Sequence, residues 1–314
     1  MKRLIGILVF VTAGIWALSI GPSPRAAAAP VTPGLAASIT ATEMVPGQAG
    51  YIYVTGGYPL QVTATLDDQP LSVFWTGSGY EALFSFGLEA APGQHRLSVQ
   101  AGDPNSGETL SQSYDVTVSD LTFRNEYVPI PFKLQALLDP EVNQAELDKL
   151  AAIYAGRTQP SSFDWPFTVP VPGGIITSRF GSNRIYNGGE LNTRHTGMDF
   201  RRAIGEPILA TATGTVVMAE TLLIRGNVII LDHGYGVFSQ YAHLSQILVQ
   251  PGQIVRRGEI IGLAGATGRT NGPHLHFEIV VSGNPVDPVK WLEIAPGFVP
   301  LREATPRPQE TPAP

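Results

Sequence analysis

The sequence predicts a mainly β protein, in which an immunoglobulin-like β-sandwich domain, a linker helix and a second strand-rich domain follow one another. Two observations predict this class. With 34 glycines and 27 prolines in 314 residues, the chain favours short strands and turns over long helices. Several segments alternate apolar and polar residues, which is the period of a half-buried strand. The length suffices for two compact domains.

Composition excludes several classes of function. The formal net charge of −6 argues against a nucleic-acid binder, which would carry a basic surface. Cysteine is absent, so disulfides, thiolate metal sites and cysteine nucleophiles are excluded. A zinc ion in this protein would therefore be held by histidine, aspartate or glutamate.

The N-terminus predicts an export signal. Lys2 and Arg3 precede an apolar run over 4–20, and small residues follow at 26–29. A basic start, an apolar middle and a small-residue end are typical of a secretory signal peptide, which we predict over 1–29. The alternative is an uncleaved anchor, although the apolar run is at the short limit for crossing a bilayer.

Residues 30–37 are interpreted as a Pro/Ala linker and residues 38–120 as the β-sandwich domain. Turn-rich pieces separate the strand-like segments, which we predict at 51–55, 60–66, 95–99 and 114–118. Nothing in this part points to catalysis, and His95 is interpreted as a surface residue.

A connector over 121–160 is predicted to contain a helix at 140–155. Asp139, Pro140 and Glu141 supply a cap, a first-turn proline and an acid at the positive end of the helix. An apolar stripe predicts the face that packs on one of the domains: Leu147, Leu150 and Tyr154.

Residues 161–296 are predicted to form the second β domain. Its predicted strands are 208–212, 214–218, 227–231, 237–241 and 274–281. The Pro-rich tail over 297–314 is predicted to be disordered.

Four of the six histidines fall into three clusters, which are His195 with Asp199, His243 alone, and His274 with His276. Residues two or four apart in a strand share a face, so each pair can serve one small site. One aspartate, two histidines and an open position make a catalytic zinc site, whereas a structural site fills all four positions. The two remaining histidines can accept a proton from an attacking water and stabilise the developing oxyanion.

Each cluster alone has an ordinary structural explanation. A lone histidine on a strand, such as His243, is more often a surface or hydrogen-bonded residue. His-x-x-x-Asp arises by chance, and His-x-His by itself is moderate evidence for metal. His233, which enters a Gly-rich turn, is interpreted as structural. The clusters predict a metal site when they are taken together and in order.

Three motifs occur in a fixed order: His195-Thr196-Gly197-Met198-Asp199, then Tyr241-Ala242-His243-Leu244-Ser245, then Gly272-Pro273-His274-Leu275-His276-Phe277-Glu278. In this order they resemble the LytM/lysostaphin-type murein endopeptidases over about residues 165–292. The resemblance implies that His195, Asp199 and His276 hold one zinc ion and that His243 and His274 are the catalytic pair. It also implies a small antiparallel β peptidase domain and hydrolysis of peptides in peptidoglycan.

One feature departs from the resemblance. Lysostaphin-like members have a tyrosine near the first ligand, but Tyr186 is out of register with it. Tyr186, Asn187 and Arg184 are interpreted as lining the rim of the groove.

The predicted function is that of an exported zinc metalloendopeptidase, a monomer in the periplasm, envelope or exterior that cuts peptide stems or bridges. A second hypothesis is a regulator or activator of other cell-wall hydrolases that keeps the peptidase fold without turnover. A third, a zinc-dependent carrier, gives no reason for the pair His243 and His274. Membrane attachment is expected only if the N-terminal segment is retained, and nucleic acid is not an expected partner.

Overall fold

The computed structural model describes residues 34–156, 158, 166–293 and 302–303. The leader predicted at 1–29 lies outside these residues, as does the predicted tail apart from 302–303. None of the helices in the described ranges has the length and apolar content that a membrane crossing requires. The described chain is mainly β with several antiparallel sheets, which confirms the predicted fold class.

Nine strands of the N-terminal part form two sheets around one core. They are β1 (Ala36–Ile39), β2 (Glu43–Met44), β3 (Ala49–Thr55), β4 (Gln61–Leu66), β5 (Gln69–Leu71), β6 (Val73–Trp75), β7 (Tyr80–Ser85), β8 (Gly93–Gly102) and β9 (Thr109–Val118). One sheet has the order β1-β3-β7-β6 and the other β2-β9-β8-β4-β5. Alternate residues point inward, so that Ile52 and Phe84 of the first sheet share a core with Leu97 and Val116 of the second. The immunoglobulin-like strand order stays a prediction.

The connector contains β10 (Asn125–Val128), a 3-10 helix (Phe132–Leu138) and α1 (Pro140–Tyr154). Asp139 caps α1, since its Oδ1 accepts a hydrogen bond from the Glu141 N–H at 2.8 Å. This bond satisfies one of the N–H groups that the first turn of a helix leaves without an internal partner.

The buried row of α1 differs by one residue from the predicted stripe. Leu150 and Tyr154 are buried, but Leu147 is only half-buried and Glu146 takes the inward position. Residues four apart form one row along a helix, so 146, 150 and 154 face the same way. An acid can occupy this row because the Arg225 guanidinium pairs with it at 3.1 Å.

Most of the remaining described residues form the second β region. Its elements are β11 (Ile175–Ser178), β12 (Asn183–Tyr186), β13 (Leu191–Arg194), β14 (Met198–Arg201), β15 (Pro207–Leu209), β16 (Gly214–Leu222), β17 (Gly226–Gly234), β18 (Val237–Leu244), β19 (Gln246–Ile247), β20 (Ile254–Val255), β21 (Ile260–Leu263), β22 (His274–Val281), β23 (Asn284–Val286), α2 (Pro288–Glu293) and β24 (Arg302–Glu303). One large sheet has the order β20-β16-β17-β18-β22-β14-β11-β24, with β23 beside β22. β24 pairs with β11 within the stretch that was predicted to be disordered, because the edge of β11 offers free ladder groups.

The two faces of the large sheet have different partners. On one face, alternate residues of β22 are buried in the main core: Leu275, Phe277 and Ile279. On the other face, Val280 packs against Leu150 and Tyr154 of α1. Because residues two apart in a strand share a face, His274 and His276 lie on the same face as α1.

The β-sandwich contacts the second β region directly. The rings of Phe74 and Tyr235 stack with centroids 3.5 Å apart, and Phe74 and Leu83 belong to the main core. The Ser85 hydroxyl donates to the Val281 carbonyl at 2.7 Å. The sandwich therefore extends the core on the sheet face opposite to α1.

Candidate metal centre and active site

Strand register places an aspartate opposite a histidine. Asp199 of β14 pairs with His276 of β22 in the antiparallel ladder, so their side chains share a face. His195 lies in the short turn just before β14. Gly197 occupies this turn because a Cβ there would collide with the Phe277 carbonyl oxygen. The turn can therefore lie close against β22 and bring His195 to the other two side chains.

Three atoms of the ligand type converge at this point. Oδ1 of Asp199 lies 3.1 Å from Nε2 of His195 and 2.9 Å from Nδ1 of His276, and the two nitrogens are 3.0 Å apart. All three residues are buried. Tetrahedral zinc with bonds of about 2.0–2.1 Å separates its ligand atoms by about 3.3 Å, close to the observed spacing. The cluster can hold a metal ion, and three protein ligands are the number found at catalytic zinc sites.

The outer nitrogen of each histidine in the triangle is held by an acceptor. Nδ1–H of His195 donates to the Arg179 carbonyl at 2.8 Å, and Nε2–H of His276 donates to Oε1 of Glu278 at 2.7 Å. A carbonyl or an ionised carboxylate can only accept, so both outer nitrogens carry the proton. In the neutral form of each ring, the lone pair of the inner nitrogen therefore points into the triangle, as metal ligation requires.

Glu278 is buried and has two partners besides His276. The Thr196 hydroxyl donates to its Oε1 at 2.7 Å, and the Arg225 guanidinium donates to the same oxygen at 3.2 Å. Burial alone would raise the pKa of Glu278, but Arg225 and His276 reverse this effect and hold that pKa well below its usual range. Glu278 is therefore ionised at neutral pH and remains an acceptor for His276.

Arg184 holds the second oxygen of Asp199. Its guanidinium donates to Oδ2 of Asp199 and, at 3.1 Å, to the Ser178 hydroxyl. Ser178 in turn donates to Glu126 of β10 at 2.6 Å. Burial would raise the pKa of Asp199, but Arg184 and His195 keep that pKa well below its ordinary value. The carboxylate is therefore charged and fixed in orientation.

Two further imidazoles lie beside the triangle. The rings of His243 and His274 are 4.7 Å apart, and Nδ1–H of each donates to a backbone carbonyl, that of Thr267 at 2.8 Å and that of Gly272 at 2.9 Å. In the neutral form of either ring, Nε2 is therefore the acceptor nitrogen. Among the described residues, no group hydrogen-bonds to the buried Nε2 of His274, which lies 3.7 Å from Oδ1 of Asp199. A general base beside a metal needs such an unpaired acceptor.

An unusual backbone conformation delivers His243. Its φ of 62° lies in the left-handed region, which costs a residue other than glycine about 1–3 kcal/mol. Ala242 pairs with His276 in the sheet, so regular alternation would place His243 on the opposite face. The local change of conformation brings its ring beside His274 instead.

The histidines around the triangle differ in basicity. Burial, and secondly the neighbouring His274 and His276, lower the pKa of His243 well below 6.5, so it is neutral at pH 7. Burial also acts to lower the pKa of His276, but its hydrogen bonds to Asp199 and Glu278 outweigh this effect and raise that pKa. Protons and a metal ion compete for the same inner atoms, so metal binding weakens as the pH falls.

Comparison with known proteins identifies the second β region. Residues 193–288 match the sequence profile of Peptidase family M23. The chain carries an M23 peptidase domain. A crystal structure of a putative peptidase M23 from Pseudomonas aeruginosa superposes with a TM-score of 0.56 at 26% identity, covering 79% of this chain and 94% of that chain. This structural similarity extends from the M23 domain into the N-terminal part.

Curated relatives share the M23 domain. The peptidoglycan DD-endopeptidase ShyA of Vibrio cholerae is 41% identical over 128 residues, which are 41% of this chain and 30% of ShyA. The DD-carboxypeptidase/endopeptidase Mpg of Neisseria meningitidis is 43% identical over 95 residues, which are 30% of this chain and 22% of Mpg. The chain thus spans less than a third of the length of these relatives.

The two histidines outside the M23 clusters have structural partners. His233 is buried, and its ring nitrogens bond to the Thr213 carbonyl at 2.8 Å and the Ser239 hydroxyl at 2.7 Å, in line with its structural interpretation. His95 is half-buried and bonds to Asp67 at 2.6 Å. The interpretation of His95 as a plain surface residue was therefore incomplete, because the bend at Asp67 brings a carboxylate to it.

The predicted groove rim is wrong for two of its three residues. Arg184 lies inside the M23 site against Asp199, and Tyr186 is buried beneath the Arg269 guanidinium, 4.6 Å from its ring centroid. Asn187 contacts the connector, since its Oδ1 accepts from the Ile130 N–H at 2.8 Å, and its place at the rim stays a prediction. Glu278 was not predicted as a partner of the site, although its place two residues after His276 on one strand face was a usable signal.

Proposed function

We propose that this chain is a zinc-dependent endopeptidase that hydrolyses peptide cross-links of bacterial peptidoglycan. The observation that carries the proposal is the convergence of three ligand atoms beside two imidazoles, each of which has its Nδ1 bonded to a backbone carbonyl. The M23 match and the names of ShyA and Mpg support peptidoglycan as the substrate and DD-endopeptidase as the first activity to test. Export to the cell envelope follows from this substrate and from the predicted leader.

In this proposal His195, Asp199 and His276 are the zinc ligands. Two neutral imidazole nitrogens and a carboxylate oxygen form a donor set that zinc accepts. A zinc ion held by these residues would supply Lewis acidity to the scissile carbonyl and to the attacking water. The chain's contribution is to fix both ligand tautomers and to keep Asp199 ionised through Arg184.

His274 and His243 are the proposed catalytic pair. The unpaired Nε2 of His274 accepts the proton of the attacking water, because its Nδ1–H is already committed to Gly272. A ring protonated in this way donates to the leaving amine. His243 lies on the same side and stabilises the developing oxyanion or takes part in proton transfer.

The test combines metal content with digestion of purified peptidoglycan by the full chain. We expect the wild type to contain one zinc ion and to release cross-link fragments in a chelator-sensitive way. His276→Ala should lose the metal. His274→Ala should retain the metal and lose about 10²–10⁴-fold in rate, the usual contribution of a general base. His95→Gln, outside the M23 domain, is the matched control and should retain both properties.

Full hydrolysis by His274→Ala would reject the catalytic assignment, and wild-type protein without bound zinc would reject the metal assignment. If the wild type binds zinc, releases no fragments and instead accelerates another wall hydrolase, the regulator hypothesis replaces the enzyme. The five converging side chains favour turnover, since a regulator would have no need for the unpaired Nε2 of His274.

A further inference from the structure

Helix α1 lies outside residues 193–288, which match family M23, yet one of its side chains reaches toward the metal centre. The Glu146 carboxylate accepts from the backbone N–H of Ile224 at 2.8 Å and of Arg225 at 3.1 Å. The carboxylate also accepts from Nη1 of the Arg225 guanidinium at 3.1 Å. Glu146 thus fixes both the backbone turn at 224–225 and the guanidinium that projects from it.

The other end of the same guanidinium reaches the partner of a ligand histidine. Nη2 of Arg225 donates at 3.2 Å to Oε1 of Glu278, and this oxygen also accepts from Nε2–H of His276 at 2.7 Å. The side chains of Glu146, Arg225 and Glu278 are 6%, 10% and 2% exposed. A continuous, desolvated chain of charged hydrogen bonds therefore runs from α1 to His276.

Docking of α1 on the sheet does not by itself explain this row of buried charged hydrogen bonds. Leu150 and Tyr154 already pack α1 on the sheet through apolar contacts. A buried ion pair adds little stability compared with well-packed apolar residues, because both charges must be desolvated. The arrangement needs a reason beyond docking, and the shared oxygen of Glu278 supplies one.

Glu146 limits what Arg225 can do to Glu278. Nη1 of Arg225 is bonded to Glu146, so the guanidinium offers Nη2 to Oε1 of Glu278. In this arrangement the same oxygen can also accept from His276. Without the Glu146 charge, Glu278 would be the remaining carboxylate partner of Arg225 in this row of hydrogen bonds. The guanidinium would then compete with His276 for the Glu278 carboxylate. Loss of the His276 bond would release the tautomer that points Nδ1 into the ligand triangle.

We propose that Glu146 is a positioning residue of the M23 metal centre, which acts through Arg225 and Glu278 to hold His276 in its ligand orientation. The inference rests on the proposed function, because it takes His276 as a metal ligand. It implies that helix α1, which lies outside the family match, helps to orient a ligand of the metal site.

The test is the zinc affinity of the full chain, measured by competition with a chelator of known affinity. Glu278→Gln replaces the charged acceptor of His276 with a neutral amide and should weaken zinc binding about 10–100-fold. Glu146→Gln keeps the size of the side chain and should weaken binding by a smaller factor, about 3–10-fold. Lys149→Gln is the matched control on the same helix, because its pair with Glu220 is exposed, and it should leave the affinity unchanged.

A second measurement separates positioning from simple stabilisation. A ligand that binds only the folded state raises Tm according to its affinity. If Glu146 only stabilises the fold, Glu146→Gln lowers Tm equally with and without zinc, and the zinc-induced rise stays the same. If Glu146 positions His276, the zinc-induced rise becomes smaller.

The outcomes distinguish this inference from the proposed function. A wild-type chain that binds no zinc overturns the metal centre itself. A wild type that binds zinc, together with Glu146→Gln of equal affinity and an unchanged zinc-induced rise in Tm, leaves the metal centre in place and overturns the role of Glu146. A weakened Glu146→Gln beside an unaffected Lys149→Gln supports it.

Discussion

The β-sandwich and the M23 domain differ in the kind of side chain that they bury. Among the described residues of the sandwich, 34–120, Ser85 is the one buried polar side chain, and the core is aliphatic and aromatic. The M23 domain buries ionisable groups next to its apolar core, among them Asp199, Arg225 and Glu278. Both regions are thus mainly β, but their interiors differ.

This difference shows which region buries ionisable side chains despite the free energy needed to remove their hydration. An ionisable group loses its hydration when it is buried, so it remains charged there only with a partner. The sandwich keeps its charged pairs at the surface, as Arg96 and Asp115 illustrate. In the M23 domain, by contrast, buried Asp199 pairs with Arg184 and buried Glu278 pairs with Arg225, and both pairs adjoin the candidate metal centre.

Removal of one buried charge should have the largest effect on stability. Arg225→Met leaves Glu146 and Glu278 buried without their cation and should lower the free energy of unfolding by about 3–5 kcal/mol. Arg96→Met removes an exposed pair and should cost less than about 1 kcal/mol. Urea unfolding of both variants measures the contrast, and equal losses would break the distinction between the two regions.

Trimming one methyl group from either core should have a smaller and nearly equal effect. Ile52 lies in the sandwich core and Ile230 in the large sheet, and both are buried. Ile→Val at either position should cost about 0.5–1.5 kcal/mol, since each removes one packed methyl group. Calorimetry of the two variants would show whether apolar packing is alike in both regions. A loss several-fold larger at Ile230 would mean that the M23 core is packed differently as well.

The smallest effects concern pH, and they have opposite signs in the two regions. Burial acts to lower the pKa of His95, but its bond to Asp67 outweighs this and raises that pKa above 6.5. The stabilisation from His95 is therefore complete below about pH 6.5 and is lost as the pH rises through its folded pKa. His243 has a lowered pKa, so the unfolded chain binds the proton first and stability falls as the pH drops below about 6.5.

Unfolding of metal-free protein at pH 5 and pH 8 measures this contrast. His95→Gln should lose more stability relative to the wild type at pH 5 than at pH 8. His243→Gln should lose less stability relative to the wild type at pH 5 than at pH 8. The same direction of change in both variants would contradict the assigned pKa shifts.

Local patterns predicted much of the fold. The run predicted as a strand at 274–281 is β22, and the segment 237–241 is the first part of β18. The capping residues placed the start of α1 at Pro140. These predictions succeed because strand period and helix caps depend on neighbours in the sequence. The convergence of His195 and His276 was inferred from motif order, although 81 positions separate them.

The sequence by itself determined which residues could carry the chemistry, because the chain has no cysteine and four of its six histidines lie in three ordered motifs, the first of which contains Asp199. Only the tertiary structure decided the partners that orient them. Glu146 lies inward where the apolar pattern favoured Leu147, and Arg184 lies against Asp199 rather than on a rim. A helical pattern records average apolarity, whereas burial of a charge depends on a counter-charge distant in sequence, here Arg225 for Glu146.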